Sequence, residues 1–336
     1  MCGLAGVIDL KGRREPDRAQ IARMGAALTH RGPDETGTLF APGIGAIQQR
    51  LSIVGLGNGQ QPIFNENRTV AVICNGELFD YPERKAELEA RGHMFRGGSD
   101  CELIVHFYEE HGEDLFPHLK GQFAFALFDF AKRVVILARD RVGICPLHWS
   151  RQGDFVYFGS EIKALLASGA VPAVADVRGL DHLFTFFALG SRRTMFEGVQ
   201  SILPGHYLRI AFNRDGRAAE PVERRYFDLD FPDWGDEDDA SDPTALIDEF
   251  EEAFRRAVEI RLRADVPRGR LSLRRRRFRL CARHRSQGPR DANSELHHQG
   301  PSPRARRGSK CFDHGTCRRR RRPWRRGKES SARSQA

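Results

Sequence analysis

No run of about 18 consecutive apolar residues occurs in the 336-residue chain, so no membrane-spanning helix is expected and no membrane partner. The opening stretch, MCGLAGVIDLKGRREPD, lacks the charged start and long apolar core of a secretory leader. Cysteine is scarce. Seven residues at uneven spacing do not form a disulfide framework, and a reducing, cytoplasmic location is the expectation. Metal-ligand spacing is lacking as well. Cys311, His314 and Cys317 lie close together, but no second ligand pair stands at a zinc-site distance, so no metal is expected. Finally, neither a Walker-type loop nor Ser-Gly-Gly-x-Asp-Ser occurs anywhere.

Positive charge is plentiful but confined. Of 54 Lys+Arg and 45 Asp+Glu, 23 and 4 lie from residue 268 onward, a net of +19. Residues 1–267 therefore hold 31 basic and 41 acidic residues, a net of −10. The overall +9 belongs to the C-terminal stretch and does not argue for a basic globular surface.

What is present in residues 1–175 is a strand-rich pattern with inserted helices. GLAGVID reads as a buried strand, and Ile21, Met24 and Leu28 recur at helical spacing. HRGPDETG is a turn-rich loop. GAIQQRLSIV and TVAVICNGEL read as strands that end near polar residues. SDCE, Ser99 to Glu102, has the spacing of a capping box opening a helix with Leu103, Ile104, Phe107 and Tyr108. QFAFALFDF and RVVILARD read as adjacent strands, apolar on both faces, with a turn near Ala131–Arg133. The whole favours a layered α+β sandwich. A connecting segment follows over 176–267, with an acidic loop at DLDFPDWGDEDDASDP and an amphipathic helix over 244–262. Residues 268–336 show neither helical nor strand periodicity and read as a disordered basic tail.

Cys2 is the most informative residue. A small residue at position 2 permits removal of Met1, which would leave a thiol beside a free α-amine able to act as a local base. Alone, a cysteine at that position is more often incidental.

The ordered set MCGLAGVIDL, HRGPDETG, QRLSIV, CNGELFD, GGSDCE, GQFAFALFD, RDRVGICPL and GSEIKALL resembles class II glutamine amidotransferases. Most of all it resembles the glutaminase domain of glutamine-hydrolysing asparagine synthetases, over residues 1 to about 267. The resemblance implies an N-terminal-nucleophile hydrolase with a four-layer αββα sandwich, a truncated start of an α/β ATP-pyrophosphatase domain, and the basic tail. It also implies that Cys2 attacks the side-chain amide of glutamine and that ammonia is released. Asn75 and Gly76 would form the oxyanion hole, although Asn-Gly by itself reads as a turn. Arg50 would hold the glutamine carboxylate, and Asp100 its ammonium; Asp100 also suits a helix first turn. Leu51, Ser52, Ile53, Val54 and Glu77 would line the same pocket. HRGPD is expected to position a loop, with no catalytic part for His30. Cys145 and Cys74, which depart from residues common in the family, read as small buried thiols.

Glutamine is thus the implied substrate, and the glutaminase half needs no cofactor. ATP and Mg2+ belong to the family's synthetase domain, which amidates aspartate or, in relatives of this architecture, another carboxylate. A homodimer stays open. After RLRADVP, where the family carries its phosphate-binding loop, this chain reads RGRLSLRRRRFRL. Ser272 to Leu280 can be encoded by TCT CTC CGG CGG CGT CGA TTC CGC CTC. Read one base later, those codons give Leu-Ser-Gly-Gly-Val-Asp-Ser-Ala, the missing loop. The expectation is therefore a shifted frame near Pro267. The competing reading, a nucleic-acid-binding tail, would act through phosphate charge alone, because Phe278, Phe312 and Trp324 are too isolated to stack bases.

Overall fold

Gly3–Asp9 (β1) is buried at every position, as expected of a strand covered on both faces. The computed structural model describes residues 1–12, 14–213, 215–236 and 243–266. After β1 come Arg18–Ala26 (α1), Glu35–Ala41 (β2), Ile44–Arg50 (β3), Ile63–Phe64 (β4) and Val70–Leu78 (β5). Tyr81–Ala90 (α2), Leu103–His111 (α3), Gly121–Asp129 (β6) and Val134–Arg139 (β7) follow. His148–Gln152 (β8), Phe155–Gly159 (β9), Ile162–Leu166 (α4) and Val177–Phe186 (α5) come next. The last described elements are Val199–Ser201 (β10), His206–Ala211 (β11), Val222–Arg225 (β12) and Pro243–Glu259 (α6).

Two six-stranded sheets form, in the orders β10-β8-β9-β1-β3-β2 and β12-β11-β7-β6-β5-β4. Their pairings are antiparallel, with Gly3 opposite Gln49 and Ala5 opposite Gly159 in the first. In the second, Asn75 lies opposite Ala124 and Gly76 opposite Phe123. Leu4, Ile8, Ala46 and Phe158 of one sheet pack on Ile73, Ala126, Phe128 and Leu137 of the other. On the outer face of the first sheet, Val7, Ile47 and Tyr157 meet Ile21 and Met24 of α1, Leu28 of the turn after it, and Leu165 of α4. On the outer face of the second, Val72, Phe125 and Leu127 meet Leu88 of α2 and Ile104 and Phe107 of α3. The order of layers is helix, sheet, sheet, helix.

The two-residue period of β6 explains its place in the middle. Phe123, Phe125 and Leu127 point to the helices, while Ala124, Ala126 and Phe128 point to the facing sheet. The hairpin to β7 turns through residues 130–133, with Arg133 at a φ of 56°. Strands β10, β11 and β12, from the segment beyond residue 175, extend both sheets at one edge.

The start of α3 departs from the expected capping box. Ser99 Oγ accepts the Cys101 N–H, and residues Asp100–Glu102 form a 3-10 turn before the α-helix. The Glu102 carboxylate accepts the N–H groups of Arg96 (2.7 Å) and Gly97 (2.8 Å). The preceding glycine-containing loop folds back over the helix end and brings those two donors to the acid. Among the described residues no helix is long and apolar enough to cross a membrane. The basic tail and the Ser272–Leu280 stretch lie outside the described residues.

Candidate active site

Cys2 stands just before β1, between the ends of the neighbouring strands. Ser160 brackets the strand start: its N–H donates to Leu4 O (2.8 Å) and its Oγ accepts from Leu4 N–H (3.1 Å). The thiol of Cys2 donates to Leu51 O at 3.6 Å and accepts the Leu51 N–H at 3.3 Å. Arg31 Nε donates to Cys2 O at 2.8 Å. Arg31 is in turn paired with Glu161 (2.9 Å), which also contacts His30 (2.9 Å) and Lys163 (3.1 Å). HRGPD and GSEIK, far apart in sequence, therefore meet behind the nucleophile. Burial pushes the Glu161 carboxyl up, but the bonds from Arg31, Lys163 and His30 outweigh it and hold the pKa at about 2.

The cleft beside Cys2 is lined by Arg50, Leu51, Ile53, Val54, Asn75, Gly76, Glu77 and Asp100, together with Gln61 and Gln122. Asn75, on β5, is 1% exposed, and its Nδ2 has no hydrogen-bond partner. A buried amide donor left unpaired costs about 1–3 kcal/mol, so an acceptor arriving in the cleft would relieve it. A Cβ on Gly76 would lie 2.4 Å from Gln122 O and 2.8 Å from the Phe123 Cα. The neighbouring strand β6 thus already requires glycine there, before any ligand is considered.

Arg50 is nearly buried. Its Nη1 donates to Glu35 (2.8 Å), and its Nη2 donates to Val54 O (2.9 Å) and Gly55 O (2.7 Å). These bonds hold the 51–55 loop around the guanidinium. Ser52 is turned the same way by its N–H to Asp34 (2.8 Å) and is not among the residues lining the cleft. Asp100 is 4% exposed, and its carboxylate accepts the Leu78 N–H. Burial pushes its pKa up, with the Leu78 N–H and the Arg263 charge opposing. Burial also raises that of Glu77, as does the Asp100 charge. Two acids held this way make the inner wall hungry for a cation.

Several positioning residues escaped the sequence reading. Gln61 spans Cys74, donating to its carbonyl (3.2 Å) and accepting its N–H (2.6 Å), which locks β5 beside Asn75. Asp265, from the segment following α6, accepts the Gly55 N–H (2.7 Å) and donates its own N–H to Ile53 O (2.9 Å). HRGPDETG contained a signal for Arg31, Asp34 and Glu35. Gln61 and Asp265 carried none. Cys74, Cys101 and Cys145 also border the cleft but are buried, and burial, with the Asp140 charge, drives the Cys145 thiol up to about 12. Burial also raises the Cys2 thiol, and the Leu51 N–H opposes it. Cys2 alone among the four described cysteines is partly exposed, and none is in a disulfide. Leaving the thiol half open at the end of a central strand, next to an unpaired amide, is an arrangement for nucleophilic attack.

A profile of the glutamine amidotransferase domain matches residues 1–226. The chain belongs to the glutamine amidotransferase domain family. It is 37% identical over 222 residues to an asparagine synthetase [glutamine-hydrolyzing] 3 of Bacillus subtilis, covering 64% of this chain and 35% of that protein. A maize asparagine synthetase [glutamine-hydrolyzing] is 42% identical over 167 residues, or 49% of this chain and 28% of the relative. An amidase of Gibberella zeae, chry2, is 36% identical over 280 residues, covering 80% of this chain and 40% of its own length. The chain spans about a third of the length of the curated relatives it matches. Among solved structures, the allosteric regulatory enzyme of purine biosynthesis aligns with a TM-score of 0.50 at 21% identity, over 67% of this amidotransferase chain and 49% of that one. That likeness concerns the fold alone, an α+β architecture with two antiparallel sheets.

Proposed function

We propose that this chain hydrolyses the side-chain amide of glutamine at Cys2, once Met1 has been removed. Met1 is largely exposed, accessible to an aminopeptidase, and its peptide bond at present occupies the Cys2 nitrogen. The freed α-amine takes the thiol proton through water, and Sγ attacks the carboxamide carbon. The oxyanion that develops is received by Asn75 Nδ2 and the Gly76 N–H, and ammonia leaves with the proton. Water then cleaves the γ-glutamyl thioester to glutamate. Arg50 supplies the positive charge for the glutamine carboxylate, and Asp100 with Glu77 the negative wall for its ammonium. Leu51, Ile53 and Val54 line the pocket, and Ser52 acts through the loop backbone.

The observation that carries this reading is the unpaired, buried Nδ2 of Asn75 in the same cleft as the half-open Cys2 thiol. Ammonia release from glutamine by wild-type protein and by Cys2→Ala tests it. Activity confined to wild type is expected. Equal release from both, or none from folded wild type lacking Met1, removes the assignment.

The fate of the ammonia rests on the longer relatives. Delivery to an ATP-activated carboxylate is the proposed context, with aspartate as acceptor; the similarity to fungal amidases supports a different carboxylate as the second reading. No described residue forms a Ser-Gly-Gly-x-Asp-Ser loop, so no step through ATP or Mg2+ is derived for this chain. The apolar face of α5, with Phe184 and Phe186, and that of α6, with Ile247 and Phe250, are open to solvent. Faces of that kind support a further domain packing there; the proposed division is a glutaminase part, 1–175, and a connecting part, 176–267, whose strands β10–β12 extend the two sheets. Residues 268–336 are proposed to be out-of-frame translation of that domain. Sequencing the coding DNA tests this. A frame that one base shift does not convert to a Ser-Gly-Gly-x-Asp-Ser-containing domain rejects it.

A further inference from the structure

Away from the cleft, four side chains from three segments converge on one point. Glu66 lies in the turn between β4 and β5, His93 in the loop after α2, and His106 and Glu109 on α3. His93 Nδ1 is 3.6 Å from Glu66 Oε1 and 3.7 Å from Glu109 Oε2. His106 Nδ1 is 3.6 Å and 3.4 Å from the same two oxygens. All four donor atoms lie within 4.8 Å of one another. These separations are long for hydrogen bonds and close to the ~3.3 Å edge of a tetrahedron with metal–ligand bonds of about 2.0–2.1 Å.

Two further observations point to a ligand. His106 is 0% exposed, and neither of its ring nitrogens has a hydrogen-bond partner. An imidazole is not left unpaired in a core without cost. His93 Nε2 sits 2.9 Å from Glu110 Oε1, a contact that suits the tautomer carrying its proton on Nε2. With the proton on Nε2, the Nδ1 lone pair faces two carboxylate oxygens, an arrangement that calls for a cation, a proton or a metal ion, between them. A carboxylate behind the distal nitrogen is also how metal-bound imidazoles are oriented. Glu102 stands in the same relation to His106 Nε2, at a longer 3.9 Å.

We propose that Glu66, His93, His106 and Glu109 form a four-coordinate site for a divalent transition metal. Two imidazoles and two carboxylates match Zn2+, not the all-oxygen preference of Ca2+ or Mg2+. No metal is expected from the sequence because these ligands are not clustered in it but spread over 44 positions. The site ties the β4–β5 turn and the loop leading to Asp100 onto α3.

The test uses the full chain, stripped with chelator, dialysed against buffered Zn2+ and assayed for bound metal. Wild type, Cys2→Ala, His93→Ala and Glu109→Gln are compared, with circular dichroism as the folding control. Wild type and Cys2→Ala should each hold one equivalent of zinc more than His93→Ala or Glu109→Gln. Any residual binding by those two should be weaker by at least about tenfold. Replacement by Co2+ should give the visible bands of a four-coordinate nitrogen–oxygen site, lost in both variants. Equal zinc in all four proteins overturns the proposal, as does a cobalt spectrum that is the same in wild type, His93→Ala and Glu109→Gln.

Discussion

Arg31 Nε donates to the backbone carbonyl of Cys2 at 2.8 Å. The guanidinium is itself fixed by Glu161 at 2.9 Å, so a loop and a helix start jointly set the direction of the residue proposed as nucleophile. In Arg31→Met the thiol loses that anchor while every group proposed to touch glutamine stays. A misplacement on the order of 1 Å lowers turnover by about 100-fold. Steady-state ammonia release should therefore show kcat reduced to that extent with KM within about twofold. An unchanged kcat would mean the contact is incidental.

Asn75→Ala tests the oxyanion role. Its Nδ2 is buried without a partner, so the side chain contributes little to the resting protein through hydrogen bonding. Loss of one donor of this kind reduces kcat by about 100- to 1,000-fold. Thermal unfolding of the variant should stay close to wild type. If KM rises in its place and kcat holds, Asn75 binds ground-state substrate only.

Asp100→Asn should act on KM. The carboxylate sits in the buried wall with a pKa pushed up by burial, a state that a substrate ammonium would stabilise. A charge-assisted hydrogen bond contributes about 1.5–3 kcal/mol, equivalent to about 10- to 100-fold in binding. Glutamine titration of the variant should show that rise in KM. Equal KM values would leave Asp100 only its structural bond to the Leu78 N–H.

Acid stability follows from Glu161, whose pKa falls from its ordinary 4.5 to about 2 in the folded protein. A depressed carboxyl stabilises the fold above the unfolded value, and this contribution disappears as pH falls through the folded value. The loss should run between pH 4.5 and about 2. Urea midpoints of wild type and Glu161→Gln should differ at pH 6 and converge toward pH 2. A constant difference over that range would show that ionisation of Glu161 is not involved.

Much of the fold was legible because it rests on local periods. The alternation in QFAFALFDF, the helical spacing of Ile21 and Met24, and the turn at Arg133 all read directly from the chain and recur in the structure, although the helix stops at Ala26, before Leu28. The capping box at Ser99 held for the serine, which caps the turn, but not for Glu102, because a short polar spacing does not say which backbone donors a returning loop will offer to the acid. The motifs naming Cys2, Arg50, Asn75, Gly76 and Asp100 were equally visible, and these residues do line one cleft.

What the sequence by itself determined was the composition of the layers and the kinds of group available, since alternation and turn chemistry act over a few residues. The tertiary structure alone decided which of them face each other. Cys2 leads into a strand of one sheet and Asn75 lies in the other, and only the stacking of the two sheets brings thiol and amide to one cleft. Gln61 locks Cys74, Asp265 reaches back to Gly55, and Glu66 approaches His93 and His106 for the same reason. Such contacts depend on strand order and loop paths fixed by burial of the whole core, which no local period encodes.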